Sequence, residues 1–125
     1  MREDPAELAA RLRPSRQDGD HPRPVLVRPQ WAPLDGPAGF ATDDEGVGLD
    51  ERWWERPERL DRTITLPFPP ESRASGIADE RPHPVVWYRI ALPAERLAAA
   101  GHRPGRRLLL HFGGVDYHAI VWVDG

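Results

Sequence analysis

Short segments in which apolar and polar residues alternate predict a chain built mainly from β-strands. The alternation is clearest at residues 63–66 and across residues 85–92, where every second residue from Val86 is apolar. This spacing predicts a buried stripe of Val86, Tyr88, Ile90 and Leu92. Two further strands are predicted at residues 108–112 and 117–123. Because glycines and prolines separate these segments, the pattern favours an all-β fold, either a sandwich or a jelly roll.

The segments between the predicted strands differ in character. Residues 34–40, around Asp35-Gly36 and Pro37, are predicted to be rich in turns. Residues 93–101 are rich in alanine and close on a glycine, which predicts one or two helical turns. Residues 1–28 are expected to form an extension, a short helix from Asp4 followed by a proline-rich linker. The folded domain is predicted over residues 29–125.

Composition narrows the classes of function. The chain has 125 residues, 17 basic and 20 acidic, with a net charge of −3, which argues against nucleic acid as a partner. Cysteine is absent, so disulfides and thiolate metal sites are excluded. No apolar run approaches the ~20 residues of a membrane span, and the charged N-terminus lacks the apolar core of a secretory signal. We therefore expect a cytoplasmic protein with no membrane partner.

The last predicted strand leads into Asp124-Gly125, a dipeptide typical of tight β-hairpins. The return strand of that hairpin is not in the sequence. A sheet that stopped there would expose a row of unpaired backbone groups. The sequence therefore predicts a C-terminally incomplete sheet, the front part of a longer domain.

Four ordered blocks of the sequence resemble a known family. They are similar to the N-terminal sugar-binding domain of family 2 glycoside hydrolases, which include β-galactosidases and β-glucuronidases. The resemblance runs from about Arg28 to the last residue. Its blocks are residues 28–40 (with Trp31 and Leu34-Asp35-Gly36), 64–77 (with its prolines), 86–89 (Val-Trp-Tyr-Arg) and 110–125.

The resemblance implies a jelly-roll β-sandwich of the galactose-binding-domain type, placed before an immunoglobulin-like domain and a catalytic (β/α)₈ barrel. Retaining hydrolysis of a β-linked glycoside uses two carboxylates about 5 Å apart. In this family both are barrel glutamates, so the resemblance implies a non-catalytic chain without a cofactor, which meets carbohydrate within the intact enzyme and packs on its downstream domains. A free-standing carbohydrate-binding β-sandwich and an inactive fragment are the alternatives.

Four residues are candidate contacts to a sugar. Glu71 and Ser72 lie in a loop stiffened by prolines, which suits the rim of a sugar pocket, although a domain-interface or structural loop is the commoner use of such a segment. Trp87 and Arg89 share the strand face opposite the predicted buried stripe. Tryptophan stacks on the apolar face of a sugar ring and arginine bonds hydroxyls or a carboxylate. The alternative for Trp87 is simple burial against a second sheet or another domain.

No metal site is predicted. His111 and His118 face opposite sides of a regular strand and lack a fixed ligand spacing with Asp116. The acidic run of residues 43–45 lacks the alternating spacing of a calcium loop. We expect it to be a solvated turn.

Overall fold

The computed structural model describes residues 29–125, so the predicted N-terminal extension lies outside the described residues. The regular elements are three strands, β1 (Gly36–Thr42), β2 (Arg62–Leu66) and β3 (Val86–Arg89), and one helix, α1 (Ala94–Ala99). Short 3-10 helices cover Trp53–Glu55, Pro57–Arg59 and Arg73–Ser75. The chain is β-rich, as its alternating pattern predicted.

The three strands form one antiparallel sheet in the order β2-β1-β3. β1 is therefore the central strand. Gly39 lies at its middle and pairs with Thr63 of β2 on one side and with Arg89 of β3 on the other. Successive side chains of a strand point to opposite faces, so these three paired residues share one face of the sheet.

Both faces of the sheet carry an apolar cluster. On the first face Ala38, Phe40 and Ile64 are buried and pack against Val86 and Ile90, among others. Phe40 and Ile64 are completely enclosed. The second face carries a cluster that we call the tryptophan cluster, formed by Ala41, Trp53 and Trp87 with Val47, Trp54, Leu60 and Trp122 around it.

The predicted buried stripe on β3 is therefore only half right. Val86 and Ile90 pack in the first cluster, but Tyr88 and Leu92 remain 40% and 39% exposed. Trp87, on the opposite face, is buried at 8% exposure. The reason is that apolar clusters cover both faces of the sheet, so the strand buries side chains on both of its faces. The Trp87 indole lies on the second face and is more fully covered there than Tyr88 is on the first.

The prediction of a turn-rich segment at residues 34–40 was wrong, because β1 runs through it. The turn-forming residues lie at the start of the strand, where Gly36 adopts a left-handed φ of 112°. From Ala38 onward the chain alternates in the pleat and buries Ala38 and Phe40 on one side. Two flanking partners, β2 and β3, supply the hydrogen bonds that a short glycine-containing strand lacks alone.

The strands predicted at residues 108–112 and 117–123 are not formed in the described structure. No residue after 106 takes part in a backbone-to-backbone hydrogen bond among the described residues. Alternation alone does not make a strand, because each strand needs a neighbour to pair its backbone groups. The large apolar side chains left exposed in this segment are Leu108, Leu109, Leu110, Phe112, Val115, Tyr117, Ile120, Val121 and Val123.

The helix predicted within residues 93–101 is confirmed as α1. The chain turns away from the axis of α1 at Gly101, whose φ is 78°. Across residues 29–125, no helix combines the length and the apolar character required to cross a bilayer.

Candidate functional site

A shallow trough crosses the second face of the sheet. Its floor is the paired row Thr63, Gly39 and Arg89, one residue from each strand. Neighbouring strands lie about 4.8 Å apart, so the Thr63 and Arg89 backbones stand about 10 Å apart across the glycine. Because Gly39 has no side chain, a hydroxyl-bearing and a guanidinium-bearing side chain flank an open space.

This space, which we call the Gly39 trough, is lined by polar and apolar atoms in about equal measure, and Thr63 and Arg89 supply its polar side chains. It encloses about 250 Å³ and is open to solvent on one side. A Cβ atom placed on Gly39 would lie 3.4 Å from the Arg89 Cβ and 3.6 Å from the Leu60 Cβ. Glycine at this position therefore sets the depth of the trough. Its other lining residues are Pro37, Ala38, Pro57, Leu60 and Ala91.

Arg89 is the charged group of the trough. Among the described residues its guanidinium forms no salt bridge and no hydrogen bond. An unpaired guanidinium offers a planar array of donors that matches a carboxylate or a pair of hydroxyls. A group that accepts hydrogen bonds would therefore meet donors at the Arg89 side of the trough.

The tryptophan cluster lies beside the trough and shares Leu60 with it. The Trp87 ring contacts Trp53 at a centroid distance of 5.9 Å. Trp122 stacks on Trp54 at 4.8 Å and on Trp87 at 5.3 Å. Stacked and tilted rings of this kind are attractive beyond the area they bury. Trp87 is thus a packing residue here, and its ring faces other indoles.

Asp43 holds the Trp87 ring through a hydrogen bond to the indole N–H. It is 3% exposed, and its carboxylate accepts hydrogen bonds from the Trp87 Nε1–H at 3.2 Å and from the backbone N–H groups of Val47 at 2.9 Å and Gly48 at 2.8 Å. Three donors satisfy a buried carboxylate that would otherwise be costly. The expected solvated acidic turn is therefore wrong at Asp43, although Asp44 and Glu45 are exposed.

Gly48 is required by the same arrangement. A Cβ atom there would lie 2.6 Å from the Trp87 Nε1 and 2.7 Å from the Asp43 Oδ2. No real Cβ contact is that short, and neither neighbour is the free end of a flexible side chain. The backbone of the turn can approach the indole only because residue 48 is glycine.

The loop candidates lie elsewhere. Ser72 caps the 3-10 helix Arg73–Ser75, where its Oγ accepts a hydrogen bond from the Ala74 N–H at 3.2 Å. Glu71 is exposed. Burial raises the pKa of the Tyr88 hydroxyl, and the negative charge of Glu71 raises it further. Tyr88 contacts Phe40 on the first face. The structure therefore brings Trp87 and Arg89 to one face and does not bring Glu71 and Ser72 to them.

A second polar cluster joins the acidic turn to the segment before β3. His83 lies between Asp44 and Asp79, and Arg81 holds Asp79 through its Nε at 2.9 Å and its Nη2 at 2.7 Å. The hydrogen bonds from Arg81 hold the pKa of Asp79 well below its ordinary value of 3.8. The hydrogen bond to Asp44 raises the pKa of His83 above 6.5, against the opposing effect of burial.

No metal centre is found in the part of the chain that the structure describes. No three His, Asp or Glu side chains of residues 29–125 come together in a way that could hold an ion. His111, Asp116 and His118 are all exposed.

Sequence reasoning identified Arg89 but missed the rest of the trough. Thr63 and Leu60 carry no signal of their own, because nothing in the local sequence marks them before the strands pair. The one available signal was Gly39 itself, a glycine between the alternating Ala38 and Phe40. Such a glycine marks a bulge or a close approach to the backbone.

Comparisons with known proteins point to one class of enzyme. No family model and no solved structure matches the chain. A β-glucuronidase of Paenibacillus borealis is 31% identical over 106 residues, covering 83% of this chain and 16% of that protein. A β-glucuronidase of Canis lupus familiaris is 32% identical over 103 residues, covering 74% of this chain and 15% of that protein. The chain therefore spans about a sixth of the length of these curated relatives, and it is related to glycoside hydrolases.

Proposed function

We propose that this chain is the non-catalytic, N-terminal sugar-binding portion of a family 2 retaining β-glycosidase. The observation that carries the proposal is its similarity to two β-glucuronidases along most of its own length. The β-rich architecture, with apolar clusters on both faces of the sheet, supports a jelly-roll sandwich as the complete domain. The proposed partners are a carbohydrate and the further domains of the same enzyme.

Hydrolysis is proposed to belong to those further domains. A retaining mechanism needs a nucleophile and an acid/base carboxylate about 5 Å apart beside the scissile bond. The Gly39 trough does not meet this need, because no carboxylate lines it. We therefore expect the purified chain to release no 4-nitrophenol from 4-nitrophenyl β-D-glucuronide or the corresponding β-D-glucoside. Turnover that survives repeated purification would contradict the non-catalytic role.

The Gly39 trough is the proposed contact to the saccharide. A pyranose ring has an apolar C–H surface and equatorial polar groups, which suits apolar walls with polar groups on both sides. The Leu60 and Pro57 side chains would cover the ring, while Thr63 and Arg89 bond its substituents. A glucuronide would add a carboxylate that pairs with the Arg89 guanidinium. Trp87 is proposed to support the trough from within the sheet, and exposed Glu71, with Ser72, to form a more distant rim.

Titration of the chain with methyl β-D-glucuronide, followed by ¹H-¹⁵N NMR, tests the trough. We expect saturable shifts at Gly39 and Arg89. Replacing Arg89 by Gln removes a charge-assisted hydrogen bond of about 1.5–3 kcal/mol and should weaken binding about 10- to 100-fold. The Arg106→Gln variant is the matched control, because Arg106 is also exposed and its side chain forms no hydrogen bond or ion pair among the described residues.

The Gly39→Ala variant separates binding from folding. Its new methyl group reaches only ordinary contact distances of 3.4–3.6 Å, so the sheet should accept it. Alanine in a strand is favoured over glycine by about 0.5–1 kcal/mol, so thermal stability should hold or rise. The same methyl fills the trough floor, so saccharide binding should fall by about tenfold or more. Unchanged binding in Gly39→Ala would place the sugar elsewhere.

A free-standing carbohydrate-binding module is the second candidate, and one observation favours it. The whole Gly39 trough is built from residues 37–91 of this chain, so it needs no other domain to exist. Saturable binding by the chain alone, at an affinity that added domains do not improve, would support this candidate. An inactive fragment would show neither binding nor a cooperative unfolding transition.

A further inference from the structure

His83 connects two segments that are distant in sequence. Its Nδ1 lies 2.6 Å from Asp44 Oδ1 in the turn after β1, and its Nε2 lies 3.2 Å from Asp79 Oδ2 in the segment before β3. The side chain is only 5% exposed. The ring is therefore enclosed between two carboxylates, with one ring nitrogen toward each.

This arrangement suits one protonation state of the ring. A neutral imidazole carries a single N–H, so one nitrogen would direct a lone pair at a carboxylate. Nε2 has no hydrogen-bond partner among the described residues although Asp79 is within ion-pair distance. A doubly protonated ring places an N–H and positive charge toward each acid. The geometry thus favours the imidazolium form.

The charged groups around His83 agree with this assignment. Asp44 and Asp79 are the two charged groups that act on the ring. Arg81 faces Asp79 and binds both of its oxygens, and it also feels the charge of Asp44. Arg81 thereby fixes the position of the Asp79 carboxylate and leaves its Oδ2 within reach of the ring.

The ring is coupled to the tryptophan cluster through one residue. Asp44 follows Asp43, whose carboxylate binds the Trp87 indole and whose N–H donates to the Val85 carbonyl at 2.9 Å. The backbone therefore links Asp44 directly to the residue that holds the Trp87 indole. Arg89 of the Gly39 trough lies two residues further along the same strand.

We propose that His83 is a proton-controlled clamp, which holds the 43–48 turn against the sheet while its ring is doubly protonated and loosens the contact of Asp43 with Trp87 when it loses a proton. This inference does not depend on sugar binding, because every group in the clamp is present in the free chain.

The direction of the pH effect follows from the two shifted groups. The pKa of His83 is raised in the folded chain, so its contribution to stability is full below its unfolded value of 6.5 and is lost as pH rises through the folded value. The pKa of Asp79 is lowered, so its contribution is present above its unfolded value of 3.8 and is lost as pH falls through the folded value. Both groups therefore contribute fully to stability between pH 3.8 and pH 6.5.

An NMR titration of the full chain tests the clamp. We expect the His83 ring resonances to titrate at a higher pH than a blocked histidine peptide in the same buffer. The Trp87 indole N–H resonance should move with the same midpoint. In the Asp79→Asn variant, which keeps the shape of the side chain and removes its charge, the His83 midpoint should fall toward that of the peptide.

A matched pair of histidine variants completes the test. His83→Gln should abolish the pH-dependent movement of the Trp87 indole, whereas His118→Gln, a change at an exposed histidine, should leave it intact. If His83→Gln does not fold, the wild-type and Asp79→Asn titrations decide the matter. The clamp is overturned if His83 titrates at or below the peptide value, or if the Trp87 indole stays fixed through the His83 transition.

Discussion

Replacing Trp87 by Ala is expected to destabilise the described sheet severely. The side chain is 8% exposed and contacts Trp53 and Trp122. Removing a buried tryptophan costs about 3–5 kcal/mol through lost burial and the cavity that remains. That is a large share of the roughly 5–15 kcal/mol by which a domain is stable, so the chain could unfold at 25 °C.

Two further variants show which part of the Trp87 side chain matters. Trp87→Phe keeps an aromatic ring and removes the N–H that binds Asp43, so it should cost about 1–3 kcal/mol. Tyr117→Ala removes an aromatic side chain that is 95% exposed and should change stability by no more than about 0.5 kcal/mol. Urea unfolding followed by circular dichroism measures all three. Equal losses for Trp87→Ala and Tyr117→Ala would show that the tryptophan cluster does not hold the sheet.

Asp43→Asn is also expected to be strongly destabilising. Asparagine is the same size, but its NH₂ group cannot accept a hydrogen bond. One of the donors from Trp87, Val47 and Gly48 would then face another donor in a buried site. Hydrogen bonds to a charged group contribute about 1.5–3 kcal/mol, and an unpaired buried donor costs about 1–3 kcal/mol, so we expect a loss of about 2–4 kcal/mol.

The control for Asp43→Asn lies a few residues further along the chain. Asp50 is exposed and has no hydrogen-bond or ion-pair partner among the described residues, so Asp50→Asn should be neutral within about 0.5 kcal/mol. Denaturant unfolding of both variants, with the Trp87 indole N–H resonance as a local probe, measures the difference. An Asp43→Asn variant as stable as Asp50→Asn would mean that the carboxylate does not anchor the indole.

The His83 clamp and the Asp43 contact bear on the proposed sugar site in the same way. Both act on Trp87, and Trp87 is two residues from Arg89 on β3. Substitutions at Asp43 or His83 should therefore disturb the Gly39 trough without touching a bound saccharide. The Arg89→Gln and Gly39→Ala variants act on the trough itself and are expected to leave the tryptophan cluster folded.

Local pattern was enough to predict some elements. The apolar alternation at β2 and at β3, and the alanine-rich segment that forms α1, each follow from spacing within one short segment. The shared face of Trp87 and Arg89 also follows from the two-residue period of a strand. The similarity to glycosidases was visible in four short blocks of sequence. These features depend only on residues close to one another along the chain.

Contacts between distant residues decided the rest. β1 is a strand because β2 and β3 pair with both of its edges, although its own sequence reads as turns. Residues 108–112 and 117–123 are rich in apolar residues typical of strands, yet they find no backbone partner in the described structure. Asp43 is buried because the Trp87 indole, 44 residues away, supplies a donor. The Gly39 trough exists only when three strands align, since pairing and burial are properties of the folded chain as a whole.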